Sequence, residues 1–321
     1  MESETINDTQ QSAALAQRAG ELGRATVAAY LADLDVSDKS RATYGRALGS
    51  WLRWLEAEGL AVNTVTGAHA MAYKRHLAES HKPSTVNAYL VAARGLYAWL
   101  NVRTGYPNVF AGVRGVRGSG NRTSTAHDAL SVDQARRVAA HRDGDSLGSL
   151  RDAAMVNVML RCGLRTVEVV RADVGDLRTM GGRSVLFVWG KGRASADEFV
   201  VLDRAALAPI TAYLQARGAV SDHEPLFAGV GNRNAGGRLT TRTVSRVAKR
   251  TMEAEGIVDG RFTAHSLRHT AVTLALLGGA TVQEAQAMAR HADISTTLIY
   301  SHNLDRLQGV AERSVSAILE G

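Results

Sequence analysis

Apolar residues return at helical three-and-four spacing along much of the chain. Val27, Tyr30, Leu31 and Leu34 share one face, as do Leu48, Trp51, Leu52 and Leu55. Ala70, Tyr73 and Leu77 make a third stripe. Val86, Tyr89, Leu90, Ala93, Leu96, Tyr97 and Leu100 make the fourth and cleanest, after the run "HKPST", whose proline and hydroxyls suit a helix start. The pattern predicts a small helical bundle over residues 23–111, behind a polar tail at 1–22.

The period then disappears. Residues 112–126 are rich in Gly, Ser, Thr and Arg and read as a linker, with Arg114, Arg117 and Arg122 spaced to follow a phosphate backbone or simply to face solvent. A second domain is expected over 127–321. Ser131 and Gln134 form a capping box, and the helix "SLRDAAMVNVMLRCG" should stop at Gly163. "SVLFVWG", the tight "GKG" and "DEFVVL" predict a β-hairpin, and the chain is helical again beyond Pro209. Thr281 and Glu284 make another capping box, and the last helix is expected to break near Gly309. The predicted class is mainly α: a helical bundle followed by an α+β domain with a small antiparallel sheet.

Composition narrows the function. The chain has 321 residues, 45% hydrophobic and 21% charged, as in a soluble globular protein. No apolar stretch reaches membrane-spanning length and no signal-peptide order is evident, so a cytoplasmic location is expected. The single cysteine, Cys162, excludes a disulfide framework and a multi-cysteine metal site, and lies in an apolar run that suits burial. A net charge of +7 favours a polyanionic partner.

Candidate chemistry is scattered. In "CGLRTVEVV", Arg165 and Glu168 sit three apart on one helix face, the spacing of an ordinary surface pair. In "AHSLRHT", His265 and Arg268 repeat that spacing at the positive start of a helix, a place that suits an anion. Their neighbour His269 reads as packing or capping. "VWGKGRAS" puts Lys191 in a glycine-flanked turn, and "HADISTTLIYSH" holds His291 and Tyr300. Each element alone is weak, and Tyr300 alone reads as an amphipathic core residue.

Together they resemble the tyrosine recombinase (phage integrase) family, whose pattern is arginine, hairpin lysine, His-x-x-Arg, a further His or Trp, and tyrosine, in that order. Here it reads Arg165, Lys191, His265-Ser-Leu-Arg268, His291 and Tyr300, and the resemblance covers nearly the whole chain. One departure is evident: the family usually places glycine before the later histidine, and here Arg290 stands there.

The resemblance implies a helical core-binding (SAM-like) domain before a catalytic domain, and DNA cleavage by Tyr300. A phenol titrates near pH ~10 and starts protonated. Arg165 and Arg268 would grip the nonbridging phosphate oxygens, with His291 donating another hydrogen bond. Lys191 would protonate the leaving 5′ oxygen, His265 would accept or position the Tyr300 proton, and Glu168 would buttress Arg165 from behind. Fixed cations can stabilise the developing charge, so no metal and no cofactor are expected. The 3′-phosphotyrosyl intermediate implies recombination sites on double-stranded DNA and strand exchange through a Holliday junction. It also implies a homo-tetramer joined through the C-terminal helix, with accessory DNA-bending proteins as compatible partners.

DNA contacts are expected from Lys39, Arg41, Lys82 and Arg94 in the first domain and from Arg242, Arg246 and Lys249 in the second. The tail after Tyr300 lacks a proline–arginine motif common in chromosome-dimer resolvases, which favours a mobile-element integrase. A type IB topoisomerase shares the same chemistry. A catalytically silent DNA-binding module is the third reading, ranked last because every catalytic position holds a competent residue.

Overall fold

The computed structural model describes residues 20–117, 129–189, 198–232, 234–300 and 310–320, the side chains of 310–313 and 317 excepted. The chain divides into two compact units, Met1–Ser119 and Gly120–Gly321.

In the first unit the four apolar stripes form α1 (residues 20–33), α2 (Asp38–Ala57), α3 (Gly67–Ser80) and α4 (Pro83–Thr104). The Ser37 hydroxyl caps α2 by accepting from the Ser40 amide. Pro83 opens α4 at its first position, and Gly105, at φ 73, closes it in the left-handed conformation. Trp51 is sealed at the centre, stacked on Trp54 with edge contacts to Tyr73 and Phe110. Beyond α4 the chain stays docked through Val116. Phe110 and Val113 join the core, and the Asn87 amide holds both backbone groups of Val116, at 2.8 and 3.0 Å. Gly115 permits that approach, since a Cβ there would lie 2.7 Å from the Asn87 oxygen.

The second unit is built around α6 (Leu147–Cys162), whose apolar residues are buried on almost every side. Before it stands α5 (Val132–Ala140), opened by the Ser131–Gln134 capping box, and after it the short α7 (Thr166–Arg171). The hairpin forms as β2 (Arg183–Val188) and β3 (Glu198–Val201), paired antiparallel with Val185 opposite Val201. A third strand, β1 (Leu177–Met180), adds to the other edge of β2. Its largely exposed "LRTM" has no apolar alternation to announce it. The signal is Gly181–Gly182, both at positive φ, the two-residue hairpin turn that twisted strands favour.

Then follow α8 (Arg204–Arg217), α9 (Thr241–Ala254), α10 (Ala264–Leu277), α11 (Val282–Ala289), α12 (residues 295–300) and α13 (Val310–Glu320). Helix α8 starts earlier than Pro209 suggests, because Asp203 caps it by accepting from the Ala206 amide at 2.7 Å. The expected break near Gly309 lies outside the described residues. α8 and α10 pack on α6, and α11 packs on α10, which brings the ends of α6, α10 and α11 together. Among the described residues no helix is long and apolar enough to cross a membrane.

Candidate active site

The site begins where α6 ends. Gly163, at φ 62, turns the chain so that Arg165 becomes the residue before α7 and Glu168 its third residue. Glu168 then reaches back, accepting the Arg165 amide at 2.8 Å and its guanidinium at 2.6 Å. What looked like a surface ion pair has its carboxylate fully buried, and a sealed carboxylate needs more than one partner. The second is Arg290, whose guanidinium meets Glu168 Oε2 at 2.6 Å. Burial alone would raise the Glu168 pKa. The charge and hydrogen bond of Arg290, with Arg165 behind them, outweigh it and hold the carboxyl below its usual range.

Helix α10 supplies the second arginine. The Thr263 hydroxyl caps it by accepting from the His265 amide, and Arg268 lies on its buried face, 2% exposed. The Arg268 guanidinium donates to the carbonyls of Gly163, at 2.5 Å, and Ala289. Burial, with Arg165 and Arg290 beside it, lowers its pKa to about 9, which leaves it charged at neutral pH.

The same helix carries a chain of rings. The exposed His265 meets His269 edge-on, with ring centres 4.4 Å apart, and His269 Nδ1 is hydrogen-bonded to the Tyr300 hydroxyl. Tyr300, 4% exposed, is held from below by Val272, Ala285 and Ala289. The expectation that His269 only packs or caps is therefore corrected. One turn beyond His265 it shares that residue's side of α10, and the packing of α12 brings the phenol to it. Burial first, then the nearby His265, Arg268 and His291, lowers the His269 pKa to about 4. It is neutral at pH ~7.

His291 follows Arg290, which ends α11 at φ 53, the lone non-glycine positive φ among the described residues. Holding a residue with a Cβ there costs about 1 kcal/mol. His291 Nδ1 hydrogen-bonds with the Thr297 hydroxyl at 2.8 Å, and burial with the charges of Arg268, Arg165 and Arg290 lowers its pKa to about 4. A cleft of about 1050 Å³ opens beside this cluster, lined by Arg161, Arg165, Phe199, Met288, Arg290 and His291.

Arg165, Glu168, His265, Arg268, His291 and Tyr300 thus come together at the ends of α6, α10, α11 and α12. Lys191 lies outside the described residues. His269 and Arg290 join the group. Arg290 stood out in the sequence only as a departure from the glycine pattern. Cys162 is buried, and burial with Asp203 nearby pushes its thiol up to about 12, which removes it as a nucleophile at neutral pH.

The expected DNA-facing residues separate. Lys39, Lys82, Arg242, Arg246 and Lys249 are exposed, the last 3.6 Å from Glu253. Arg94 turns inward to the carbonyls of Phe110 and Val113, and Arg41 donates to that of Leu34. Both arginines instead fasten loops of the first unit.

The sequence matches the phage integrase family over residues 129–306, more than half of the chain, and the phage integrase N-terminal SAM-like domain over 27–104. The chain belongs to the phage integrase family. Relatives of this family member include the tyrosine recombinase XerC of Pelobacter propionicus, 28% identical over 87% of this chain and 90% of the relative. The tyrosine recombinase XerD of Corynebacterium glutamicum is 29% identical over 83% and 88%. Among solved structures, the XerH site-specific recombinase in a post-cleavage complex with a palindromic difH substrate superposes with a TM-score of 0.69 at 16% identity, covering 85% of this chain and 80% of that one. A lambda integrase dimer bound to a COC′ core site gives 0.65 at 15%, covering 89% and 76%. The shared fold is that of the integrases, with a SAM-like unit before the catalytic one.

Proposed function

We propose that this phage integrase family member is a site-specific DNA recombinase that cleaves and rejoins strands through Tyr300. The carrying observation is the Tyr300 hydroxyl bonded to His269, one residue past Arg268, within the cluster that holds Arg165 and His291. The phenolic oxygen attacks the scissile phosphorus. With the His269 proton on Nε2, Nδ1 accepts the phenolic proton, and His265 packs against the ring of that acceptor. This moves the acceptor role expected of His265 one turn along α10.

Arg165 and Arg268 face the nonbridging oxygens, and His291, neutral at pH ~7, donates from its remaining nitrogen. The departing 5′ oxygen takes its proton from Lys191. The phosphodiester energy is stored in the 3′-phosphotyrosyl bond until a 5′ hydroxyl of a partner duplex attacks and returns the phenol. No step requires a cofactor.

The domains expected at 23–111 and 127–321 are read as two DNA-binding halves, the start of the expected linker at 112–126 being docked on the first through Val116, with Lys39, Lys82, Arg242, Arg246 and Lys249 as phosphate contacts. Four protomers on two duplexes, linked through the C-terminal helix, carry out the exchange in the cytoplasm. DNA-bending accessory proteins are compatible partners in that exchange.

The test lets the chain select duplexes from a randomised library, then nicks them so that cleavage sheds a short fragment and cannot reverse. The expected result is a covalent protein–DNA band that disappears in Tyr300→Phe, with binding retained. A band that persists in that variant sinks the assignment, and its absence in the native chain leaves only the DNA-binding module. Relaxation of supercoiled plasmid by the monomer without site preference would favour the topoisomerase reading. The selected sequence separates a mobile-element integrase, which takes element ends, from a chromosome-dimer resolvase.

A further inference from the structure

Arg290 sits under two local burdens. Its backbone occupies the left-handed region, and its Nε is buried with no hydrogen-bond partner among the described residues. Glycine at this position would remove both, so what the residue contributes lies in its guanidinium.

That guanidinium closes a ring. Arg165 donates through Nη1 to Glu168 Oε1 at 2.6 Å, Arg290 donates through Nη2 to Glu168 Oε2 at 2.6 Å, and Arg165 Nη2 donates to the Arg290 carbonyl at 2.9 Å. Arg268 is tied into the same turn. It donates to the carbonyl of Ala289, the residue before Arg290, and to that of Gly163, which Arg290 Nη2 also approaches at 3.3 Å. Two consecutive carbonyls, at 289 and 290, therefore each hold one candidate phosphate-gripping arginine. The turn that aims them is anchored from the side-chain end by the 290–168 ion pair.

We propose that Arg290 is a positioning residue that sets the separation and orientation of Arg165 and Arg268 against the scissile phosphate. Arg290 is 3% exposed at its side chain and acts through those two groups. The proposal rests on the recombinase reading. Its charge also faces His291, together with Arg268, Arg165 and His265, and contributes to the depressed pKa of that imidazole.

The decisive substitution is Arg290→Gly, because any role confined to the backbone predicts that glycine serves as well or better. Single-turnover cleavage is measured on the library-selected nicked duplexes, alongside DNA affinity and the His291 titration followed by NMR. The proposal predicts a loss in cleavage rate of roughly tenfold to a hundredfold. DNA affinity should be unchanged and the His291 pKa should move up. Arg290→Lys, which keeps the charge with a single point of contact, should recover part of the rate. In an Arg165→Ala background, adding Arg290→Gly should cost little more, since the pathway it acts through is already cut.

Arg290→Gly cleaving as fast as the native chain overturns the proposal. So does a loss of DNA affinity or folding that accounts for the whole effect in both single variants. If the native chain itself forms no Tyr300-dependent adduct, the recombinase reading fails first and this proposal falls with it.

Discussion

Trp51 and Glu168 occupy comparable positions, each at the sealed centre of its unit, 0% exposed. Around Trp51 stand Trp54, Tyr73, Tyr97 and Phe110, and the contacts are ring against ring. Around Glu168 stand Arg165 and Arg290, and the contacts are directed hydrogen bonds between charges. The aromatic centre gains from water exclusion without regard to direction. The charged centre faces a large desolvation penalty, which only well-aimed partners offset. What it provides in return is orientation: three guanidinium groups fixed by one carboxylate and the four backbone carbonyls of Gly163, Met288, Ala289 and Arg290. The first unit can tolerate small shifts of its core, whereas the second ties its stability to the geometry of the candidate site.

Truncation should hurt the first centre most. Trp51→Ala is expected to cost about 4 kcal/mol through lost burial and the cavity left behind. Urea denaturation of the full chain, followed by far-UV circular dichroism, measures it. The His269 titration in the second unit should be untouched, and a shift there would break the separation between the two centres.

Glu168→Ala is next, at about 3 kcal/mol, because it leaves the Arg165 and Arg290 charges without their shared partner. Hydrogen exchange should place the loss in α6, α7 and α11, with the first unit protected as before. A cost within error of zero would mean that the ring does not hold the site.

Acidification probes the charged centre more gently. His269 and His291 have folded pKa values of about 4, below the value of about 6.5 for an unfolded chain. As pH falls, the unfolded chain binds these protons first. Their effect is absent above pH ~6.5, stability is lost from there down to about 4, and below that the loss is complete. Thermal unfolding across that range should trace the decline, and imidazole NMR should place both midpoints near the lower limit. A midpoint well above pH ~7 for His269 would remove the neutral acceptor from the mechanism.

Much of this was legible in the sequence, for physical reasons that differ by element. The four stripes of the first unit formed helices because their period is local, and the Ser131 and Thr281 capping boxes formed because each closes over three residues. Strand β1 escaped notice because its side chains are largely exposed and carry no alternation. Arg94 and Arg41 look like any solvated cations until the carbonyls they meet, up to 19 residues away, are in place. The bond from His269 to Tyr300 spans 31 residues and depends on how α12 packs, which no local pattern encodes. The ring through Arg290 needs both a left-handed backbone and a residue 122 positions earlier.

The state of Cys162 has a practical consequence. The chain contains one cysteine, and it is tucked beneath β3 with its sulfur 3.8 Å from the Val201 carbonyl and its thiol pushed up to about 12. Thiol-directed dyes and crosslinkers should pass it by in the folded protein. A reporter cysteine placed on α9 or α13 would then be the sole attachment point, ready for distance measurements on DNA without first engineering the native thiol away.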